Sequence, residues 1–292
     1  MPTKIIIYLF LYPFSLLPMT VLYGIGKVIR FFVYPLFGYR KEVIRANLKN
    51  SFPNASKKEL KDVEKKYYTH LCNLIVEGIK MLSISRKNLM RRYVCKNPEL
   101  VNRYFDADRS VILMSSHYNN WEWMVLSLAL QFKHHGVGVG KENSNKSFEK
   151  TINIFRTRYG TEVIFAKTIR EAVKQYDQSH KRSAYMMLSD QSPGNTKKPF
   201  VIPFLHQASD MIYGGEYFAL KYNYPVFYYV VKQRKRGYYE VELELITDNP
   251  SATAYGDITK KYVQCLERDI VANPAYWLWS HKRWKHKVEL PK

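Results

Sequence analysis

The stretch VILMSSHYNNWEW, residues 111–123, decides how the chain folds. Four consecutive apolar residues followed by small polar ones read as a buried strand over Val111–Ser115. Asn119-Asn120 then resembles a helix cap, which places the start of a helix at Trp121 with Glu122 in its first turn. The unit is a strand running through a short turn into a helix, with one histidine, His117, standing where the strand ends.

Outward from this unit the same alternation recurs. Strands are expected near Gly136–Gly140, Glu162–Phe165 and Ala184–Leu188, with helices around Phe148–Tyr159 and Ile169–Asp177 between them. Val226–Lys232 and Tyr238–Ile246 read as a hairpin joined by residues 233–237, where three consecutive cations end at Gly237; a solvated turn accounts for them. Before the strands, Lys57–Lys80 carries apolar residues at helical spacing, and Ser56 with Glu59 forms a capping box. The fold class is therefore α/β, a central sheet flanked by helices, with a site expected at strand ends.

Lys and Arg number 46 against 25 Asp and Glu, a formal charge of +21. Such a charge calls for an anionic partner. Nucleic acid is disfavoured, because no zinc-finger spacing, RNP-like aromatic motif or basic low-complexity tail is present. A membrane surface or a phosphorylated lipid is the alternative. Ile5 to Gly26 is uncharged over 22 residues; at about 1.5 Å per residue it reaches about 33 Å, against a hydrocarbon core of roughly 30 Å. Pro13 and Pro18 kink any helix there, so a bent span and a segment lying in the interface both satisfy the pattern. Apolar character resumes at Phe31–Phe37, which favours a retained anchor over a cleaved signal peptide. Lys27, Arg30, Arg40, Lys41, Arg45 and Lys49 follow it, which puts the remainder of the chain on the cytoplasmic side. Cys72, Cys95 and Cys265 form no disulfide framework or zinc pattern and read as reduced thiols.

The histidine carries the chemistry. At a strand end its imidazole stands at the rim of the sheet, and a tight turn brings Glu122 back towards Nδ1. Nε2 then faces a substrate hydroxyl as general base, since an ordinary imidazole titrates near pH about 6.5. Capping of the helix explains Glu122 equally well but leaves the histidine unexplained. There is no G-x-S-x-G elbow and no H-E-x-x-H, and His134-His135 lacks partners at metal-ligand spacing. Gly136-x-Gly138-x-Gly140-Lys141 matches neither a dinucleotide fingerprint nor a P-loop. Neither a metal nor a cofactor is expected.

Five segments together resemble the lipid A biosynthesis acyltransferases, the late lauroyl and myristoyl transferases within the lysophospholipid acyltransferase-like superfamily. They are RKEVIRANLKNSFP (40–53), HYNNWE (117–122), RTRYG (156–160), Asp190-Gln191, and WLWSHKRW (277–284). The resemblance runs over essentially the full chain. It implies a sandwich with a central mixed sheet, divided into an N-terminal membrane anchor (1–38) and an acyltransferase domain (39–292). It further implies a bacterial inner-membrane enzyme whose catalytic domain lies on the cytoplasmic face. The enzyme takes an acyl group from acyl carrier protein and delivers it to a phosphorylated glycolipid. His117 is then the base and Glu122 its support, while Arg156, Arg158, Asp190 and Gln191 bind substrate. Where relatives carry glycine before Asn-Trp-Glu this chain has Asn119, and it departs again at Phe204–Asp210, expected near substrate. Rival readings are another lipid acceptor such as an aminolipid, a thioesterase, and a non-enzymatic protein that binds anionic lipid.

Overall fold

Every residue of Val111–Ser115 is buried, and the molecule is organised around this strand. The computed structural model describes residues 2–194 and 199–290. The 22-residue apolar run is not one helix. α1 (Pro2–Ile6) passes through a π-helical turn into α2 (Tyr12–Leu16), and the backbone turns extended at Leu17 and Pro18. α3 (Met19–Phe31) follows and runs into a second π-helical turn, Phe32–Leu36, that absorbs Pro35. Met19–Leu36 makes 18 continuous helical residues, long and apolar enough to cross a membrane by length and composition.

Next come α4 (Lys41–Ser51), α5 (Lys57–Met81) and α6 (Arg86–Arg92). The predicted capping box opens α5: Glu59 N–H donates to Ser56 Oγ at 3.2 Å and Ser56 N–H to Glu59 Oε2 at 2.7 Å. A short β1 (Tyr93–Cys95) and α7 (Glu99–Asp106) precede β2, the strand Val111–Ser115. The alternation then proceeds as expected: α8 (Trp121–Gln131), β3 (His135–Gly140), α9 (Lys146–Arg156), β4 (Glu162–Phe165), α10 (Ile169–Gln178) and β5 (Ser183–Leu188). A hairpin of β6 (Phe200–Phe204) and β7 (Gln207–Met211) stands apart, followed by α11 (Gly214–Tyr222), β8 (Val226–Lys235), β9 (Tyr238–Thr247) and α12 (Asp257–Ala272). The β8–β9 turn is shorter than the sequence suggested. Both strands extend, leaving Arg236-Gly237 between them, with Gly237 at φ +73°. Arg236 lies over the Tyr23 ring at 4.4 Å, so this cation contacts the N-terminal helices as well as solvent.

The main sheet has seven strands in the order β1-β9-β8-β2-β5-β3-β4. Only the β8–β9 pair is antiparallel, so the sheet is mixed. Alternate residues of β2 enter different cores, Ile112 and Met114 one, Val111 and Leu113 the other, as the pleat requires. The N-terminal helices cover the second core: Ile7, Met19, Leu22 and Tyr23 are buried in it. Their other side leaves large apolar residues exposed, among them Leu9, Phe10, Leu16, Phe31, Leu36 and Phe37.

Candidate active site

β2 and β5 are neighbouring parallel strands in which Ser115 pairs with Leu188. The ladder continues one step, from Ser189 N–H to the Ser115 carbonyl at 3.0 Å. His117 and Asp190 each lie two residues beyond that last pair, so register alone sets them side by side. His117 Nδ1 is 2.8 Å from Asp190 Oδ1. The other carboxylate oxygen accepts the Trp277 indole N–H at 2.9 Å.

Asp190 is 1% exposed. Burial pushes its carboxyl up, but the charge and hydrogen bond of His117 and the Trp277 N–H outweigh it and hold the group below the ordinary carboxylate range. An anion at Nδ1 keeps the N–H on that nitrogen and leaves the Nε2 lone pair free to accept. The His117 side chain keeps 18% of its surface exposed, and its Nε2 makes no hydrogen bond among the described residues. Trp121 meets the ring edge-on at 5.3 Å.

The turn that aims His117 is fixed by its two asparagines. Asn119 is buried at φ +60°, the left-handed region that asparagine tolerates better than most side chains, and its Nδ2 donates to the Val231 carbonyl at 2.6 Å. Its backbone N–H reaches the Tyr276 carbonyl, and Tyr118 bridges Trp277, so the C-terminal segment is stitched to the turn. Asn120 Oδ1 caps α8 by accepting from Trp123 N–H at 2.9 Å.

The expected contact between Glu122 and the imidazole is not formed. Glu122 turns instead to Arg156 at the end of α9, which grips it with two parallel bonds, Nε to Oε2 at 2.7 Å and Nη2 to Oε1 at 2.6 Å. The forked guanidinium matches a carboxylate in this way, and the pair is mostly shielded, with 28% of Arg156 and 22% of Glu122 exposed. The Glu122 carboxylate is held by the guanidinium on the neighbouring helix α9, whereas the strand next to β2 delivers Asp190 directly to Nδ1. Asp190, placed among the substrate-binding candidates by resemblance, thus takes the position expected of Glu122. Gln191 follows it, half-buried.

Arg158 does not join Arg156. It donates to the Met81 carbonyl at 2.6 Å and the Ile84 carbonyl at 2.5 Å, closing the C-terminal end of α5 where carbonyls lack helical partners. Two further contributors were not singled out from sequence, although both lie within WLWSHKRW. Nε2 of His281 accepts from Ser192 N–H at 3.3 Å, tying down the loop after Asp190. Burial pushes the His281 imidazole down to about 4. Arg283, fully buried, donates to Asp210 Oδ1 at 3.0 Å. That ion pair locks the β6–β7 hairpin to the C-terminal segment. Leu205 and His206 form the hairpin turn at φ 49° and 61°, and Phe204 packs edge-on to Trp277 at 5.7 Å. The divergent segment 204–210 is thus one side chain away from Asp190.

A sequence profile describing bacterial lipid A biosynthesis acyltransferases matches residues 3–286. The chain belongs to that family. No curated protein matches it. As a lipid A biosynthesis acyltransferase the protein is an enzyme with an acyl donor and a lipid acceptor. The profile covers His117, Glu122, Arg156, Asp190 and the C-terminal tryptophans, every residue of the constellation described above.

Proposed function

We propose that this lipid A biosynthesis acyltransferase moves a fatty acyl chain from the thioester of acyl carrier protein to a hydroxyl of a phosphorylated glucosamine lipid, with His117 as general base. The observation that carries this reading is the His117–Asp190 contact, an imidazole oriented through Nδ1 by a buried ionised carboxylate. Nε2 takes the hydroxyl proton as the oxygen attacks the thioester carbonyl and a C–O bond forms. Asp190 stabilises the imidazolium during that step. Collapse of the tetrahedral intermediate breaks the C–S bond, and the imidazolium returns the proton to the departing thiolate.

Glu122 acts one step removed. It fixes the Arg156 guanidinium, whose remaining N–H groups suit a phosphate of the acceptor or of the carrier's pantetheine arm. Gln191 adds a neutral donor and acceptor beside Asp190. Arg158, with its fork engaged by carbonyls, supports this wall structurally.

Residues 1–38 act as the membrane-associating segment and 39–292 as the acyltransferase body, at the cytoplasmic face of the bacterial inner membrane. The exposed apolar surface of α1 to α3 supports this, with Lys27, Arg30, Arg40 and Lys41 close behind it in sequence. A hollow of about 490 Å³ lined by Gly38, Arg40, Lys41, Glu42, Val43 and Arg45 opens in the same region.

The test is lipid mass spectrometry of a deletion strain beside assays of purified His117→Ala. Loss of one secondary acyl chain from lipid A, with a folded but inactive variant, is the expected result. An unchanged lipid A with an altered aminolipid would move the acceptor, and free fatty acid released without acceptor would make the enzyme a thioesterase. Transfer by His117→Ala at the wild-type rate would remove the base assignment.

A further inference from the structure

Glu77 is buried at 0% exposure in the middle of the second core, and the mechanism above makes no use of it. Its carboxylate gathers donors from three separate elements. Tyr23 Oη in α3 donates to Oε1 at 2.6 Å. Asn120 Nδ2, in the turn before α8, donates to Oε2 at 2.7 Å, as does Tyr239 Oη in β9 at 2.7 Å. The Glu77 backbone carbonyl takes the Trp123 indole N–H at 3.0 Å. Burial pushes this carboxyl above its ordinary range against the pull of its three donors.

Two of these bonds stand out by where they lead. Asn120 is three residues after His117 and two before Glu122, and its own Oδ1 caps α8. Tyr23 belongs to the helix whose opposite side carries the exposed apolar surface. One carboxylate therefore joins the N-terminal helical layer to the turn that aims His117, with no residue in between. Buried Glu216 in α11 is satisfied by one neighbouring segment alone, Gly256 and Thr259 at the start of α12; Glu77 is shared between α3, the turn that aims His117 and β9.

We propose that Glu77 is a positioning residue, which holds the His117 turn through Asn120 and makes its geometry depend on how α3 is seated through Tyr23. The inference rests on His117 being the base. A turn displaced by about 1 Å costs on the order of 10²-fold in rate, and the loss falls on kcat because no substrate contact is removed.

Full-length protein assayed in detergent micelles containing acceptor lipid tests this with four variants. Glu77→Met, which keeps length but offers no acceptor, is expected to lower kcat about 10²-fold with KM within about threefold. Glu77→Gln rescues, since its oxygen still accepts from Asn120 and Tyr239 while its amide donates to the Tyr23 hydroxyl. Tyr23→Phe retains the ring packing and lowers kcat by about five- to tenfold; it also carries the test if Glu77→Met fails to fold. Full kcat in Glu77→Met or in Tyr23→Phe, or a loss confined to KM, overturns the proposal. His117→Ala in the same assay separates the two ideas: its activity at the wild-type rate sinks the base assignment, whereas its silence beside a fully active Tyr23→Phe sinks only the role of Glu77.

Discussion

His117 Nδ1 lies 2.8 Å from Asp190 Oδ1 across 73 residues of chain, and the parallel pairing of β2 with β5 is what closes that gap. Replacing Asp190 by Asn keeps the shape but removes the anion. Transfer by Asp190→Asn should fall by about 10²–10⁴ in kcat, with acceptor KM little altered. Stability carries the same signature. The folded carboxyl titrates below its ordinary 3.8, so its contribution is present above that pH and disappears as pH falls through the depressed value. Acid unfolding of Asp190→Asn should therefore depend less steeply on pH below about 4, and an unaltered acid limb would count against an ionised Asp190.

The bidentate pair of Glu122 and Arg156 predicts strong coupling. Arg156→Lys cannot reproduce two parallel bonds, and should raise KM for the phosphorylated substrate about tenfold while leaving a larger fraction of kcat. In a double-mutant cycle, Glu122→Gln and Arg156→Ala should be non-additive by about 0.5–3 kcal/mol. Additive losses would mean that Glu122 acts independently of the guanidinium.

His281 supplies a pH test of the C-terminal segment. Its imidazole falls from an ordinary 6.5 to about 4 in the folded protein. Between those values the unfolded chain binds the proton and the folded chain does not, so stability drops as pH is lowered through that window. Burial pushes His134 and His70 down as well, to about 4 and about 3, so all three act in the same direction. His281→Gln should reduce the slope of stability against pH by up to one proton between about 4 and 6.5, followed by denaturant unfolding at fixed pH steps.

The Arg283–Asp210 pair, 0% and 6% exposed, predicts a stability loss. Asp210→Ala leaves a guanidinium buried without its counter-charge and should cost about 3–5 kcal/mol. Replacing both by apolar residues of similar volume, Arg283→Met with Asp210→Leu, should recover much of that loss. Denaturant midpoints of the single and double variants check the order.

Much of the architecture was readable from local patterns. The capping box at Ser56 and Glu59 and the strand-helix alternation from Val111 to Leu188 depend on neighbours within a few residues. Leu205-His206 gave no glycine to announce its turn, and Arg158 looked like a phosphate ligand because its role as a cap for carbonyls 74 to 77 residues earlier leaves no local trace. Glu122 was misplaced for the same reason: five residues of proximity in sequence suggested a contact that α8 directs elsewhere.

What the sequence determined by itself is the α/β class, the uncharged apolar run near the N-terminus and the presence of one histidine at a strand end. Which carboxylate meets that histidine, which arginine meets Glu122, and that Tyr23 and Asn120 share Glu77 were decided only in three dimensions. Periodicity records which face of an element is apolar, but parallel strand order and register arise from the packing of whole layers. Residues joined by that register carry no mark of one another along the chain.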